Sequence, residues 1–333
     1  MNLNPSRIMD MSSAFQDSAI LFAASDLGIF GAVAKSGEAK AEDVAEALGL
    51  DARAATLIMD ACVAVGLLQK ENSTYRNTPE SAAFLVPGGP GDLSKAIWYM
   101  RDVYPVWGRL KDFGKSGSPS ESPQLHLGDD EARTRAFVMS MHGKALATGA
   151  AVVSKLRLEG CRRLLDVGGG PGTYSVMISR AYPELHATVL DLPPVIQIAS
   201  GLIQQQGASS RVSTLPGDYH TTPFPAENDA VLFFGMMHQE SPERIQSLLR
   251  KAYDAMTPGA RVYIMDMMTD PSHTAPKFSA LFAVNMALTT NSGWVFSSDE
   301  LGGWAQAAGF VDFDVQPLPP PIPHWLASAR KPE

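Results

Sequence analysis

Three short stretches of this chain carry side chains with evident chemistry. At Leu164-Leu165-Asp166-Val167-Gly168-Gly169-Gly170-Pro171-Gly172 an apolar run ends in an acid and breaks at once into a glycine-rich turn. Glycines let a backbone approach a ligand closely, and a helix starting at Thr173 would aim its N-terminal N–H groups at that ligand. At Ala187-Thr188-Val189-Leu190-Asp191 a second β-type run also ends in an acid. It falls about 20 residues past the turn, where α/β sheets offer a carboxylate to ribose hydroxyls. His238 follows the apolar run 229–234, and Asp266 ends the run 261–265. In open α/β sheets ligands sit beyond the carboxyl ends of strands. An imidazole there suits proton transfer near neutrality, and a carboxylate on the next strand would fix its tautomer and stabilise the imidazolium.

Spacing narrows the ligand. A dinucleotide fingerprint needs G-x-G-x-x-G; counted from Gly168 its third glycine falls on Thr173, and counted from Gly170 on Ser175. The order present is Asp166-x-Gly168-x-Gly170-x-Gly172. A further turn, Gly217-Asp218-Tyr219, follows a short strand at 211–215. Its acid could accept from an adenine amino group while the tyrosine lies against the ring. No carboxylate cluster suits Mg²⁺, so no metal is expected.

These groups need a parallel sheet to position them, and the run 229–234 reads as its central strand. Ser241, Pro242 and Glu243 then read as the start of the next helix. Ahead of the sheet, 132–156 reads as a long connecting helix carrying Met139, Met141 and His142. Residues 6–34 carry apolar positions at helical spacing and few charges, so that segment wants a partner. A short helix at 41–50, Asp51 capping a helix to Leu68, and a strand-like 75–78 give a winged-helix outline. That would-be recognition helix has one Arg among small and apolar residues, too few cations to read DNA. The expected divisions are 1–110, a connecting and substrate-lining segment 111–155 with a Gly/Ser/Pro-rich loop at 114–123, and a cofactor-binding domain 156–333.

The 333 residues are 45% hydrophobic and 19% charged, with a net charge of -8, which argues against nucleic acid and against an anionic membrane. No run of the roughly 18 apolar residues that a span needs is expected, so the chain reads as cytoplasmic. Its two cysteines, Cys62 and Cys161, lack the spacing of a disulfide framework or zinc site.

The Asp166-to-Gly172 motif resembles motif I of class I S-adenosylmethionine methyltransferases. Residues from about 15 to 330 resemble the bacterial and plant small-molecule O-methyltransferases, through the run from Leu164 to Ile196, GDYHTTPFP, FFGMMHQESPERI and HWLASARKP. The resemblance implies an α/β Rossmann-like, mostly parallel methyltransferase domain preceded by an all-α winged-helix-like dimerisation domain, in a homodimer. It implies S-adenosylmethionine as cofactor, at Asp166, Gly168, Gly170, Gly172, Asp191, Leu192, Gly217, Asp218 and Tyr219. It also implies His238 as general base, with Asp266 as its acidic partner. Relatives usually read His-Asp-Trp at His238-Gln239-Glu240, and a lysine at Phe234.

Met141, Phe282, Asn285, Met286 and Trp294 are the expected acceptor-pocket residues, and such walls suit a small, planar, largely apolar hydroxyl acceptor. Members of this family that methylate carbon or nitrogen, or that bind the cofactor without methylating, form a second reading. Two further classes make contrary demands: a ligand-sensing winged-helix regulator needs a basic recognition helix, and a dehydrogenase needs the dinucleotide glycine order.

Overall fold

The structure is a computed structural model that describes residues 4–333 apart from 90, 95 and 123–125, so the last residue of the expected 114–123 loop lies outside the described residues. The chain divides into two compact units, 1–97 and 98–333.

The first unit contains α1 (Ser6–Ser13), α2 (Phe15–Asp26), α3 (Ile29–Ser36), β1 (Ala39–Lys40), α4 (Ala41–Leu48), α5 (Ala52–Ala64), β2 (Leu68–Glu71), β3 (Thr74–Asn77) and α6 (Pro79–Phe84). The apolar 6–34 segment is thus three helices; Gly28, at φ +76°, takes the left-handed conformation that separates α2 from α3. Asp51 caps α5 by accepting the Ala54 N–H at 2.8 Å. Phe30, Val33, Val44, Met59, Leu68 and Tyr75 bury one common core. The unit is not all-α: β1, β3 and β2 form a small antiparallel sheet in that order. The hairpin that makes it turns through Asn72 at φ +54°, a conformation asparagine tolerates.

The second unit contains α7 (Trp98–Trp107), α8 (Leu110–Ser116), α9 (Glu131–Val153), β4 (Arg163–Val167), α10 (Thr173–Ala181), β5 (His186–Asp191), α11 (Pro193–Gln205), β6 (Val212–Pro216), β7 (Asn228–Phe234), α12 (Pro242–Ala255), β8 (Met256–Asp266), α13 (Lys277–Thr289), α14 (Ser298–Ala307), β9 (Val311–Pro317) and β10 (Trp325–Arg330). The two compact units divide at 97/98, inside the expected 1–110 division. α7 lies against α9 and α13, and the Trp107 indole donates to Asn285 Oδ1 at 2.9 Å. α8 occupies the start of the expected 114–123 loop.

Among the described residues, the seven-stranded sheet runs β6-β5-β4-β7-β8-β10-β9. The first five are parallel, and β10 is antiparallel to both neighbours. Both faces are buried, which explains why the central strands read as unbroken apolar runs. Leu165, Val167, Val231, Phe233, Val262 and Ile264 pack on α12 and α14. Alternate residues Leu164, Ala230, Leu232, Tyr263 and Met265 pack with α10 and α11 on the other face. Each buried Val, Leu, Ile, Phe or Met side chain among them contributes about 1.5–3 kcal/mol on leaving water.

Among the described residues, α9 is long and apolar enough to cross a membrane by length and composition, as is the bent pair of Ser6–Asp26 with Ile29–Ser36 if taken as one span, contrary to the expectation that no segment would be. In the fold it packs against α7, α10 and α11.

Candidate active site

The parallel strands all deliver their carboxyl ends to one edge of the sheet. Val167 pairs with Leu190 and with Phe233, and Phe234 pairs with Met265. The glycine turn after β4, Asp191 on β5, His238 after β7 and Asp266 on β8 therefore stand side by side.

In the glycine turn, Gly170 sits at φ +52° and a Cβ placed on it would meet nothing within 4 Å. At Gly172, φ +69°, a Cβ would instead crowd Ile203. Gly170 thus faces open space, whereas Gly172 packs the start of α10 onto α11. The Asp191 carboxylate cradles the turn: Oδ2 accepts the Gly170 N–H at 2.8 Å and Oδ1 accepts the Leu192 N–H at 2.7 Å. Burial raises its pKa to about 6, against those two N–H donors. Asp166 is buried beneath the turn, with Oδ2 taking the Ser175 hydroxyl at 2.6 Å and Oδ1 unpartnered. Burial also lifts Asp166 to about 6, Ser175 opposing and the Asp191 charge adding. Asp166 is therefore a support under the turn as well as a candidate ligand group.

The turn after β6 is pinned from two sides. Asp218 accepts the His220 N–H at 2.8 Å, and Lys251 Nζ donates to the Tyr219 carbonyl at 2.7 Å. The Tyr219 hydroxyl donates to Glu240 Oε1 at 2.7 Å, and His220 Nε2 shares that oxygen at 3.0 Å. Burial first, and then the Glu240 charge, push the Tyr219 phenol well above its usual range, so it remains a donor.

His238 is buried in a single turn between β7 and α12, whose N-cap Ser241 accepts the Arg244 N–H. Its Nδ1 lies 2.6 Å from Asp266 Oδ1, and its backbone N–H donates to Asp266 Oδ2 at 3.1 Å. A carboxylate at Nδ1 keeps the proton on that nitrogen and leaves the Nε2 lone pair free. Phe282 meets the imidazole edge-on, with centroids 5.0 Å apart.

The expected acceptor residues separate on inspection. Phe282 and Met286 share a buried cluster with Met267 and Val295 beside His238. Asn285 is committed to scaffolding: its amide donates to the Tyr99 hydroxyl at 2.9 Å and accepts from Trp107. Trp294 is 41% exposed and its ring meets that of His273 at 5.5 Å, while its backbone N–H donates to the His238 carbonyl at 3.0 Å. The 291–296 loop turns the indole outward. Met141 is half-buried on α9, one residue before His142, whose Nδ1 lies 2.7 Å from Thr173 Oγ1 at the start of α10.

Sequence reasoning missed Glu240, Lys144 and His324. For Glu240 the signal was an acid two residues beyond a strand-end histidine; for Lys144, a position one helical turn past Met141 on a helix already suspected of lining the pocket. His324 gives no signal before the fold is known.

A doubly covered, mainly parallel sheet with a glycine turn, a ribose-height carboxylate and a histidine–aspartate pair at one edge defines a class I methyltransferase. The chain belongs to the O-methyltransferase family: residues 112–311 match the O-methyltransferase domain and residues 9–87 the O-methyltransferase dimerisation domain. It is 30% identical over 309 residues to the 3-hydroxy-5-methyl-1-naphthoate 3-O-methyltransferase of Streptomyces sahachiroi, covering 92% of this chain and 89% of that one. It is 29% identical to the tetracenomycin polyketide synthesis 8-O-methyl transferase of Streptomyces glaucescens, covering 98% and 97%. The structure of human N-acetylserotonin methyltransferase in complex with S-adenosylmethionine superposes with a TM-score of 0.89 at 24% identity, covering 100% of this chain and 99% of that one. The protein is an S-adenosylmethionine-dependent O-methyltransferase with a dimerisation domain that supports a homodimer. The open side of Gly170, the unpartnered Asp166 oxygen and the desolvated Asp191 carboxylate fit a cofactor bearing a cationic amine and ribose hydroxyls.

Proposed function

We propose that this enzyme methylates a hydroxyl oxygen of a small, planar, largely apolar metabolite, with His238 as the general base. The observation that carries this is the Asp266–His238 pair, which presents a free Nε2 beside the apolar cluster of Phe282, Met286 and Val295. Asp166, the glycine turn, Asp191, Leu192 and the Gly217-Asp218-Tyr219 turn would hold S-adenosylmethionine. Bound there, the cofactor supplies a methyl group on a positively charged sulfur that leaves with the bonding pair. His238 Nε2 takes the acceptor hydroxyl proton, and Asp266 stabilises the imidazolium that forms. The buried walls exclude water and align the acceptor oxygen, which is the larger share of the rate gain in a displacement of this kind. The Streptomyces relatives are named for a naphthoate and a polyketide, which supports a ring-shaped acceptor from secondary metabolism. The net charge of -8 suits a cytoplasmic enzyme that handles small molecules rather than nucleic acid or an anionic membrane surface.

The test is His238→Ala, assayed on a series of phenols. Turnover should fall on the order of 10²–10⁴-fold for acceptors with pKa near 10, and less for acidic phenols that arrive ionised. Affinity for S-adenosylhomocysteine should hold. Full activity on a high-pKa phenol would remove His238 from the proton transfer.

A further inference from the structure

Lys144, on α9, has no anionic partner among the described residues. Its ammonium has three donors, and no hydrogen bond or ion pair to Nζ is found among the described residues. Nζ lies 4.9 Å from the Tyr99 ring centroid, a cation–π contact that covers one side of the charge. Burial lowers its pKa to about 8. The geometry leads from this cation to the reaction centre: the Tyr99 hydroxyl accepts from Asn285, which is one turn along α13 from Phe282, whose ring touches the His238 imidazole. His324 directly precedes Trp325, which pairs with Asp266 across β10 and β8. It is held well below the usual histidine range, at about 4, by burial; Asp266 opposes this, and His238 and Lys144 both add to it. Its Nδ1 is buried with no hydrogen-bond partner.

An unpaired cation that reaches the reaction centre through Tyr99, Asn285 and α13, and an unused imidazole nitrogen that feels both this cation and the catalytic pair, make a poor wall for a wholly apolar ligand. A desolvated ammonium without a counter-ion costs free energy that a bound anion would return. We propose that Lys144 and His324 anchor an acidic group on the acceptor, so that the substrate class is hydroxyaryl carboxylates, with Lys144 ion-paired to the carboxylate and His324 hydrogen-bonded to it. This rests on the acceptor reading above and deepens it: the ring occupies the apolar cluster, the hydroxyl meets His238, and the carboxylate is gripped from the α9 side. Neutral His324 can donate to a carboxylate oxygen without itself requiring a charge.

The experiment is calorimetric titration of the full chain, loaded with S-adenosylhomocysteine, with 4-hydroxybenzoate and 6-hydroxy-2-naphthoate and with the carboxamide of each. At least one carboxylate should bind about 10-fold or more tightly than its carboxamide. Lys144→Met should abolish that preference, and Lys144→Arg should keep most of it. His324→Phe should reduce it in part. Titration of each variant with S-adenosylhomocysteine alone reports whether it is folded. Carboxamides binding as well as carboxylates, a preference that survives Lys144→Met, or no binding of either carboxylate to the loaded protein would each overturn the proposal. If neutral phenols bind equally well and still depend on His238 for turnover, the anchor fails while the general base stands. If the carboxylates bind with the Lys144 dependence yet His238→Ala leaves turnover intact, the base fails and the anchor stands.

Discussion

Asp266 holds His238 twice. One carboxylate oxygen takes the ring Nδ1–H at 2.6 Å and the other takes the backbone N–H at 3.1 Å, while the Met267 N–H adds 2.8 Å to the first. A single buried group on β8 therefore fixes the tautomer, the ring plane and the local backbone of a residue that follows β7. The side chain is wholly buried, so its charge acts at short range with little screening.

Asp266→Asn tests that double grip. The amide can still accept one N–H, but its NH₂ cannot accept the Nδ1 proton, so the imidazole is driven toward the tautomer with its proton on Nε2. Turnover on a high-pKa phenol should drop about 10²-fold, less than in His238→Ala, with S-adenosylhomocysteine affinity little changed. Steady-state rates and calorimetry on one preparation check both parts. An unaltered rate would mean that the pair is structural.

Gly170→Val addresses the cofactor face. The position combines φ +52° with open space, so valine costs backbone strain and also projects its methyls where the cofactor must come close. Affinity for S-adenosylhomocysteine should fall by about 10-fold or more, while the thermal midpoint of the ligand-free protein drops only modestly. Parent-like affinity in a folded variant would move the cofactor away from this turn.

Why some of this was legible beforehand and some was not follows from how each feature is encoded. Strands buried on both faces leave unbroken apolar runs, so β4, β5, β7 and the core of β8 stand out, and the groups at their ends follow from sheet topology. Asp51 and Ser241 were legible as caps because capping is local chemistry, three residues long. The direction of the Trp294 side chain depends on the path of the 291–296 loop, which no periodicity records. That α7 packs with the second unit is likewise not written locally, since its Trp107 bonds to Asn285, 178 residues away. Lys144 and Glu240 had a weak local signal but take their roles from tertiary partners, and His324 has no local signature at all.

Glu240 links the two halves of the site, since it sits two residues past His238 yet receives Tyr219 and His220 from the loop after β6. Glu240→Ala would leave the Tyr219 hydroxyl without its acceptor and free the loop. The expected result is a weakening of S-adenosylhomocysteine affinity by about 5- to 50-fold, consistent with one or two charge-assisted hydrogen bonds. Turnover at saturating cofactor should change little. A loss confined to turnover would place Glu240 in the chemistry instead of in loop positioning.

The pH dependence of cofactor binding should report on Asp191. In the ligand-free protein its pKa is raised to about 6 from 3.8. Between those values the folded chain keeps a proton that the unfolded chain has lost, so this residue's contribution to stability declines as pH rises from about 4 to about 6 and is least favourable above that. The residue is only half-buried, so screening trims the effect from about 3 kcal/mol for the full shift to about 2 kcal/mol or less. Ribose hydroxyls need the ionised acceptor. Affinity for S-adenosylhomocysteine should therefore rise with pH through the region around 6 and level off above it, with proton release on binding near pH 5.5. Asp191→Asn should bind more weakly at pH 7.5 and show a flatter pH profile, and its ligand-free form should be more stable than the parent at pH 7.5 and closer to it at pH 4.5. Asp166, also raised to about 6, remains in both proteins, so the difference between their profiles isolates Asp191. Parallel profiles for parent and variant would show that the carboxylate on β5 does not meet the cofactor.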